Sequence, residues 1–457
     1  MTFTLNGNSH SAYDGDGSGF SDVPKKTSYT INPKIFYSPS DDTKIMFGLS
    51  TGYENLEGGD MTAISSGPSP QHPYLEKSKS ERTYTQLQLN TFLGGTSLTL
   101  KNSIGYFSLN NSLESLGFSG TQWTSYTELT LQSRAGKHTI TGGLSLTSDR
   151  FAENPSSSGL DRSYARWTAG VFGQDDWRVT DPLTVETGLR IDKPSGYGLE
   201  FLPRIGAIYR LSNEVGLRAS AGMGYKVPTI FSDQSNPYAI YQILPTSAGI
   251  VPEKSVGGEF DITYNAIVLG ELSLNVDQAF FYTRVNNPFI LLPQIVSARA
   301  FFSLKNADGS LFSRGAETDV KLSYGDLQAY VGYTYTDAED NFPGSQGELF
   351  LTPRNRFITD VAYAIENFGE AGIELRYTGP QLLHDGARSP AYWIMDLLLE
   401  KSYHGFTFFI AAENFFNYKQ SDYSPIFSGP VDNPQFGDIW APLEGRVVNA
   451  GLRIDLK

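Results

Sequence analysis

The chain has 457 residues, of which 39% are hydrophobic and 13% aromatic, with 46 Gly, no Cys and a formal net charge of -14. Apolar side chains are too scarce for several packed soluble cores, no uncharged apolar run is long enough to cross a membrane as a helix, and no basic stretch could neutralise phosphates, so nucleic acid is excluded as a partner. The lack of Cys removes disulfides, thiol nucleophiles and thiolate metal ligands together.

In chain order, the first segment, Met1 to Asn8, has neither a basic nor an apolar leader region. It reads either as a chain whose leader has been removed or as the latter part of something longer. Residues 14–22 then offer oxygen ligands at Asp14, Asp16, Ser18 and Asp22, with Gly19 at the sixth position where a calcium loop turns sharply. Lys25 stands where an EF-hand needs a bidentate Glu, so an EF-hand is excluded. A looser Ca²⁺ site completed by other loops is weighed against a flexible acidic loop. No other cofactor is expected.

From there onward a period of two recurs. Over 183–192, Val185, Leu189 and Ile191 alternate with Glu186, Gly188 and Arg190; over 217–226, Ala219, Ala221, Met223 and Tyr225 alternate with Arg218, Ser220, Gly222 and Gly224. Ala316, Thr318, Val320 and Leu322 oppose Glu317, Asp319, Lys321 and Ser323, and the chain closes on Val448, Ala450, Leu452 and Ile454 against Asn449, Gly451 and Arg453. Strands that are apolar on one face and polar on the other, repeated along a whole chain, describe a barrel greasy outside and wet inside. Leu452 is expected near the middle of the bilayer. The rival, a large soluble β-sandwich or propeller, leaves the aromatic richness unexplained.

Connections alternate between tight and long. The tight ones fall at 38–44, 94–97, 134–137, 179–183, 212–215, 269–272, 325–327, 367–371 and 403–406, nearly all with the Gly, Asp, Asn, Ser or Pro that hairpin turns require. The long ones fall at 11–27, 56–79, 110–121, 151–162, 193–199, 229–252, 286–306, 339–351, 379–390 and 419–439. Short turns on one rim and long loops on the other predict an all-β, transmembrane antiparallel β-barrel of about twenty strands, with the short rim periplasmic. Residues 301–304 are assigned to a loop, which preserves even parity. One barrel domain over 1–457 is expected.

Cargo would be captured at the long-loop rim. Lys226, at a strand end, precedes Asp233, Asn236, Tyr238, Tyr241 and Gln242, a mixture of aromatic faces and amides suited to sugars, flat chelates or corrin-like ligands. The competing reading makes those rings part of the lipid-boundary girdle, to which Tyr53, Trp123, Tyr164, Trp167, Tyr197 and Trp393 are also assigned. His72 and His384 lie in outer loops and His10 at an outer strand end, as candidate contacts to haem or a metal complex without ligand spacing. His138 and His404 fall on the opposite rim. No Ser/His/acid constellation stands out, so no enzymatic activity is expected. The inward charges (Glu186, Arg190, Arg204, Arg218, Glu317, Asp319, Arg354, Arg356, Glu413, Arg446, Arg453) are of mixed sign, suited either to a solute-selecting lumen or to holding a plug reversibly.

Several stretches resemble the barrel of a TonB-dependent outer-membrane receptor. These are Gly222-Met-Gly-Tyr-Lys-Val-Pro-Thr-Ile-Phe231, Pro252-Glu-Lys-Ser255 with Gly258-Glu259, Arg314-Gly-Ala-Glu317, Tyr333-Thr-Tyr-Thr-Asp-Ala338, Thr352-Pro-Arg-Asn-Arg356, Glu413-Asn-Phe-Phe-Asn-Tyr418 and Gly445-Arg446. Gly58-Gly-Asp-Met61 and Gln174-Asp-Asp-Trp177 resemble receptors of Bacteroidetes-like bacteria. The resemblance implies a monomeric importer in the outer membrane of a Gram-negative bacterium. It would capture an iron–siderophore complex, a corrinoid or a glycan, the first leading, and be energised by a TonB-type inner-membrane protein acting through a plug. It also implies a barrel of twenty-two strands, so the plug and first hairpin are read as missing. A passive porin-like barrel or adhesin is the alternative.

Overall fold

The computed structural model describes residues 1–113, 116–154, 160–231, 242–296, 299–345, 347–366, 368–430 and 434–454. Twenty strands, from Thr2–His10 to Val447–Ile454, form one sheet in which each strand pairs antiparallel with the next barrel strand in the chain. The tight connections sit where the sequence puts them, and their backbone shows why. Gly94 and Gly95 (φ 57° and 89°) and His404 and Gly405 (φ 50° and 83°) both supply the paired positive φ of a two-residue hairpin turn, which matches the right-handed strand twist.

The alternation read from the sequence divides the sheet's two faces. Leu144, Ile205, Phe408 and Leu452 point away from the lumen and are 57%, 56%, 52% and 49% exposed, a pattern no water-soluble sheet could sustain over this area. The opposite face carries ions in pairs: Glu186 with Arg204 at 3.3 Å, Arg376 with Asp396 at 2.5 Å, and Lys101 with Glu128 at 3.5 Å. Among the described residues no helix is long and apolar enough to cross a membrane; the span is made by strands.

Three expectations change. The segment 110–121 is not a long loop: strands Thr96–Leu113 and Leu116–Ala135 continue through it in register, Asn111 opposite Phe118. Strands of 18 and 20 residues exceed the roughly 10 that a bilayer crossing uses, so their polar tips extend the ladder into water. Residues 301–304 do stay outside the barrel, but the connection holds its own hairpin, Phe289–Val296 paired with Arg299–Asn306. Leu452 lies opposite Phe408, two residues from the end of the Phe406–Ile454 ladder, and so sits near the inner interface rather than at mid-bilayer.

Among the described residues no ladder joins Thr2–His10 to Val447–Ile454, the two edges of the sheet. The outer loops beside those edges nevertheless meet. Phe20, 5% exposed, packs on Phe427 with ring centroids 4.3 Å apart, Tyr74 packs on Phe436 at 5.6 Å, and Lys419 Nζ donates to the Gly15 carbonyl at 3.1 Å. The first and last loops thus touch across the seam, which requires the sheet to curl round on itself.

Candidate functional site

Outer strand ends and long loops pack on one another, and two clusters of buried apolar residues form there. Phe118, Phe151, Ile230 and Ile243 form one cluster, flanked by Leu109, Tyr164, Leu291 and Phe302; Ile250, Phe289 and Leu304 form a second, joined to the first through Leu291. The described ends of the 229–252 segment are therefore anchored by Ile230 and Ile243, while Leu244 N donates to the Phe302 carbonyl at 2.8 Å and stitches the segment to the outer hairpin. Asn306 completes the seam, with its amide on the Val251 and Asn287 carbonyls at 3.0 and 2.8 Å.

Beside this cluster lies an ion pair hidden from water. Arg162 and Glu153, with side chains 0% and 1% exposed, join through Arg162 Nε at 2.9 Å and the Arg162 backbone amide at 2.8 Å, and the guanidinium also stands 5.0 Å over the Phe118 ring. Arg162 further donates to the Ile243 carbonyl at 3.3 Å. A charge removed from water needs this full set of partners, because an unpaired buried ion costs several kcal/mol.

On the opposite side of the rim, polar side chains do the joining. Gln420, 1% exposed, accepts from the Trp440 and Ala441 amides at 2.7 and 3.1 Å and donates to the Asp438 carbonyl at 2.6 Å. Tyr392, Tyr418 and Tyr423 stack in series at 5.1 and 4.9 Å. Burial and the neighbouring Tyr423 push the Tyr418 hydroxyl well above the usual tyrosine range. Arg388 bonds Glu348 at 2.5 Å, and the same carboxylate lies 3.8 Å from Arg354, which also reaches Asp337 at 3.5 Å. Arg388, with Arg354 adding, holds the Glu348 carboxyl below its ordinary range.

The predicted site residues fall into three groups. Asp233, Tyr238 and Tyr241, with Asn236, lie outside the described residues. Lys226 ends its strand opposite Glu253, and Gln242 is half-buried directly before Ile243. The two outer histidines are each bound to a carboxylate rather than to one another. His72 Nδ1 lies 2.7 Å from Asp60, which caps the short helix Met61–Ser66; His384 Nδ1 lies 2.7 Å from Asp438, with the ring stacked on Phe350 at 4.3 Å. His72 braces its own loop, whereas His384 fastens the 379–390 loop to the 419–439 loop.

The acidic loop does converge. Oxygens of Asp14, Asp16 and Asp22 lie within 4.8 Å of one another. Those oxygens accept the loop's own amides: Asp14 takes Gly17 and Gly19 at 2.8 and 2.9 Å, Asp16 takes Ser18 at 2.9 Å, and Asp22 takes Gly15 at 2.6 Å. Gly17 and Gly19 adopt φ of 73° and 87°, which an L side chain rarely reaches, and the Ser18 hydroxyl accepts the Phe20 amide at 3.4 Å. Burial pushes the Asp22 carboxyl up, reinforced by Asp16 and Asp14 against the opposing pull of the Gly15 amide.

Two residues assigned to the girdle belong elsewhere. Tyr164 and Arg166 occupy the face opposite Ala165 and Trp167, so Tyr164 turns inward, where its hydroxyl donates to Asp149 at 3.0 Å and accepts Gln122 at 3.2 Å. Tyr197 faces the Arg166 guanidinium at 5.9 Å. Trp123, Trp167 and Trp393 are 53%, 48% and 42% exposed, as girdle residues should be. Parity along the strand separates Tyr164 from Trp167, a signal present in the sequence.

The sequence motifs now acquire physical roles, and most are fastenings at outer strand ends. Asn414 and Asn417 hold φ of 47° and 58°; Asn414 accepts the Tyr418 amide at 2.9 Å, and Asn417 accepts the Arg446 amide at 2.9 Å. Glu253 accepts the Phe289 amide at 2.6 Å and Lys254 pairs with Glu200 at 2.7 Å. In the 174–177 stretch, Asp175 lies 2.8 Å from His138, whose ring stacks on Trp177 at 5.7 Å.

A curled antiparallel sheet with an apolar exterior, an ion-paired lumen and interlocked outer loops defines a transmembrane β-barrel of the Gram-negative outer membrane. Residues 2–415 match the family described as TonB dependent receptor-like, beta-barrel, and the chain belongs to that family. It is a family of receptors rather than enzymes. The chain is similar in fold to the FrpB iron transporter from Neisseria meningitidis, with a TM-score of 0.73 and 16% identity, covering 98% of this chain and 76% of that one. The siderophore receptor PirA from Acinetobacter baumannii gives a TM-score of 0.76 at 15% identity, over 98% and 74% of the two chains. The iron-regulated outer membrane virulence protein of Vibrio cholerae is 20% identical over 292 residues, 58% of this chain and 43% of that protein. The chain thus spans less than half the length of the curated relatives it matches.

Proposed function

We propose that this chain is the ligand-capturing barrel of an energised outer-membrane importer, and that its cargo is an iron–siderophore-type chelate. The observation that carries the reading is the match of residues 2–415 to a receptor barrel family, in a chain whose outer loops are interlocked into an ordered rim. The curated relative and two structural neighbours, an iron-regulated protein, an iron transporter and a siderophore receptor, support iron as the cargo metal. A copper transporter with a TM-score of 0.75 makes other metal complexes the natural comparison.

In this reading Lys226, Asp233, Tyr238, Tyr241 and Gln242 contact the cargo from the 229–252 segment, and the clusters around Ile230 and Ile243 hold that segment's ends in place. Pre-ordering lowers the entropy lost on binding, so a scarce solute can be held at low concentration. A TonB-type protein would then open a path by acting on a plug within the lumen.

The test is uptake by cells lacking the gene and complemented with it, using radiolabelled ferric siderophores beside copper, corrinoid and glycan sources. Loss of uptake for ferric chelates alone, restored by complementation and abolished by a proton ionophore, is expected. Uptake that persists with the ionophore would make the barrel a passive pore; loss of a corrinoid or glycan instead would replace the cargo.

A further inference from the structure

The geometry points to a subsite for a singly charged planar oxyanion, of the carboxylate class, at Arg166. This deepens the proposed capture function, on which it rests for its biological meaning. A cavity of about 220 Å³ lies at the outer ends of the strands His138–Glu153 and Tyr164–Arg178, beneath the loops at 194–195 and 227–229. Thr147, Asp149, Arg166, Trp167, Ser195 and Thr229 line it.

Arg166 stands out because its charge is not answered. Its guanidinium lies 5.6 Å from the Tyr164 ring and 5.9 Å from the Tyr197 ring, two aromatic faces that hold a cation in place, yet Nη1 is buried with no hydrogen-bond partner. Among the described residues no carboxylate pairs with it. Nearby arginines differ: Arg162 grips Glu153, and Arg190 lies 2.8 Å from Asp192. A buried guanidinium N–H gains most from a charged or polar oxygen, so Nη1 is the atom at which an acceptor from outside the protein would be held.

The size and charge of the cavity narrow the ligand. At about 220 Å³ it is smaller than whole-ligand pockets, which run from roughly 300 Å³, so it takes one group of a larger molecule. Asp149 sits opposite Arg166 in the ladder, with its oxygens occupied by Gln122 at 2.8 Å and Tyr164 at 3.0 Å. It leaves the arginine unpaired but adds a negative charge to the wall, which favours a monoanion over a phosphate dianion. Ser195 Oγ already accepts the Trp167 amide at 3.0 Å, which leaves its O–H free to donate into the cavity.

The experiment uses the full chain refolded in lipid nanodiscs, with 4-fluorobenzoate as probe and its neutral isostere 4-fluorobenzamide as control, followed by ¹⁹F NMR line broadening. Saturable broadening of the acid and not of the amide is expected, with at least a tenfold weakening in Arg166→Gln and partial retention in Arg166→Lys. Ser195→Ala, a loop change that leaves the sheet intact, should weaken binding several-fold. Heat-dependent gel mobility confirms that each variant is a folded barrel. Equal broadening of acid and amide, full binding by folded Arg166→Gln, or no binding of the acid, meaning a cavity that holds only solvent, would each overturn the subsite. Tighter binding of inorganic phosphate than of the acid would overturn the monoanion assignment. Cells tested on the chelate panel separate the two readings: probe binding with no cargo uptake defeats import alone, and uptake without probe binding defeats the subsite alone.

Discussion

Leu144→Arg tests whether the exposed apolar face meets lipid. Leu144 is 57% exposed and pairs with Leu129 and Val171 in the two neighbouring ladders, so a charge there would enter an apolar patch three strands wide. It lies six residues beyond His138, the first residue of its strand. At about 3.4 Å per residue and a tilt near 40°, that is roughly 16 Å above the inner turn, within a few ångströms of the middle of a ~25 Å apolar band. The expected cost is about 2–4 kcal/mol. Two controls share the chemistry but not the location. Leu452→Arg, two residues from the ladder's inner end, should cost about 0–1 kcal/mol because the side chain reaches the interface. Thr130→Arg puts the same group inside, where Thr130 Oγ1 already lies 3.4 Å from the Glu128 carboxylate, and should cost little. Guanidinium unfolding in phospholipid vesicles reads all three. Equal losses at Leu144 and Thr130 would show that the two faces are misassigned.

Breaking the hidden pair with Glu153→Gln should loosen the rim by about 3–5 kcal/mol, whereas replacing both partners with Leu and Met should restore much of it; hydrogen exchange of residues 116–120 and 242–252 reports the difference. Asn414→Ala, which loses its bond to the Tyr418 amide and strains a backbone at φ 47°, should cost about 2 kcal/mol locally, seen as faster exchange across 415–423 with the barrel intact. Because Arg388 depresses the folded-state pKa of Glu348, that contact stabilises the rim fully above the ordinary glutamate range and is lost as pH falls through the lower folded value. Limited proteolysis near 347–354 should therefore accelerate below about pH 4 in the wild type, but show no such step in Glu348→Gln. Tyr238→Ala and Tyr241→Ala should weaken cargo binding by about 1–3 kcal/mol in a titration, with unchanged barrel stability.

How far the site could be read from sequence depended on the range of the interaction involved. The acidic loop was visible because Asp14, Asp16 and Asp22 are neighbours in the chain, and their oxygens do converge. Arg166 was not visible. Its significance comes from what fails to reach it, and only folded geometry shows that Asp149 is occupied by Gln122 and Tyr164. His72 and His384 looked like ligand candidates because Asp60 and Asp438, which hold them, stand 12 and 54 residues away.

The sequence by itself determined the barrel. A period of two needs only strand geometry and two unlike solvents, and turn residues such as Gly94-Gly95 encode their hairpins locally, so faces, short turns and parity followed without any tertiary information. The rim was decided by tertiary structure alone. Phe20 against Phe427, Ile243 against the strand-end Phe118, and Gln420 bonded to the Trp440 amide are contacts among loops and outer strand ends that the folded chain brings together. No periodicity announces them, because burial among irregular loops depends on shape and on the pairing of individual polar groups rather than on a repeating backbone.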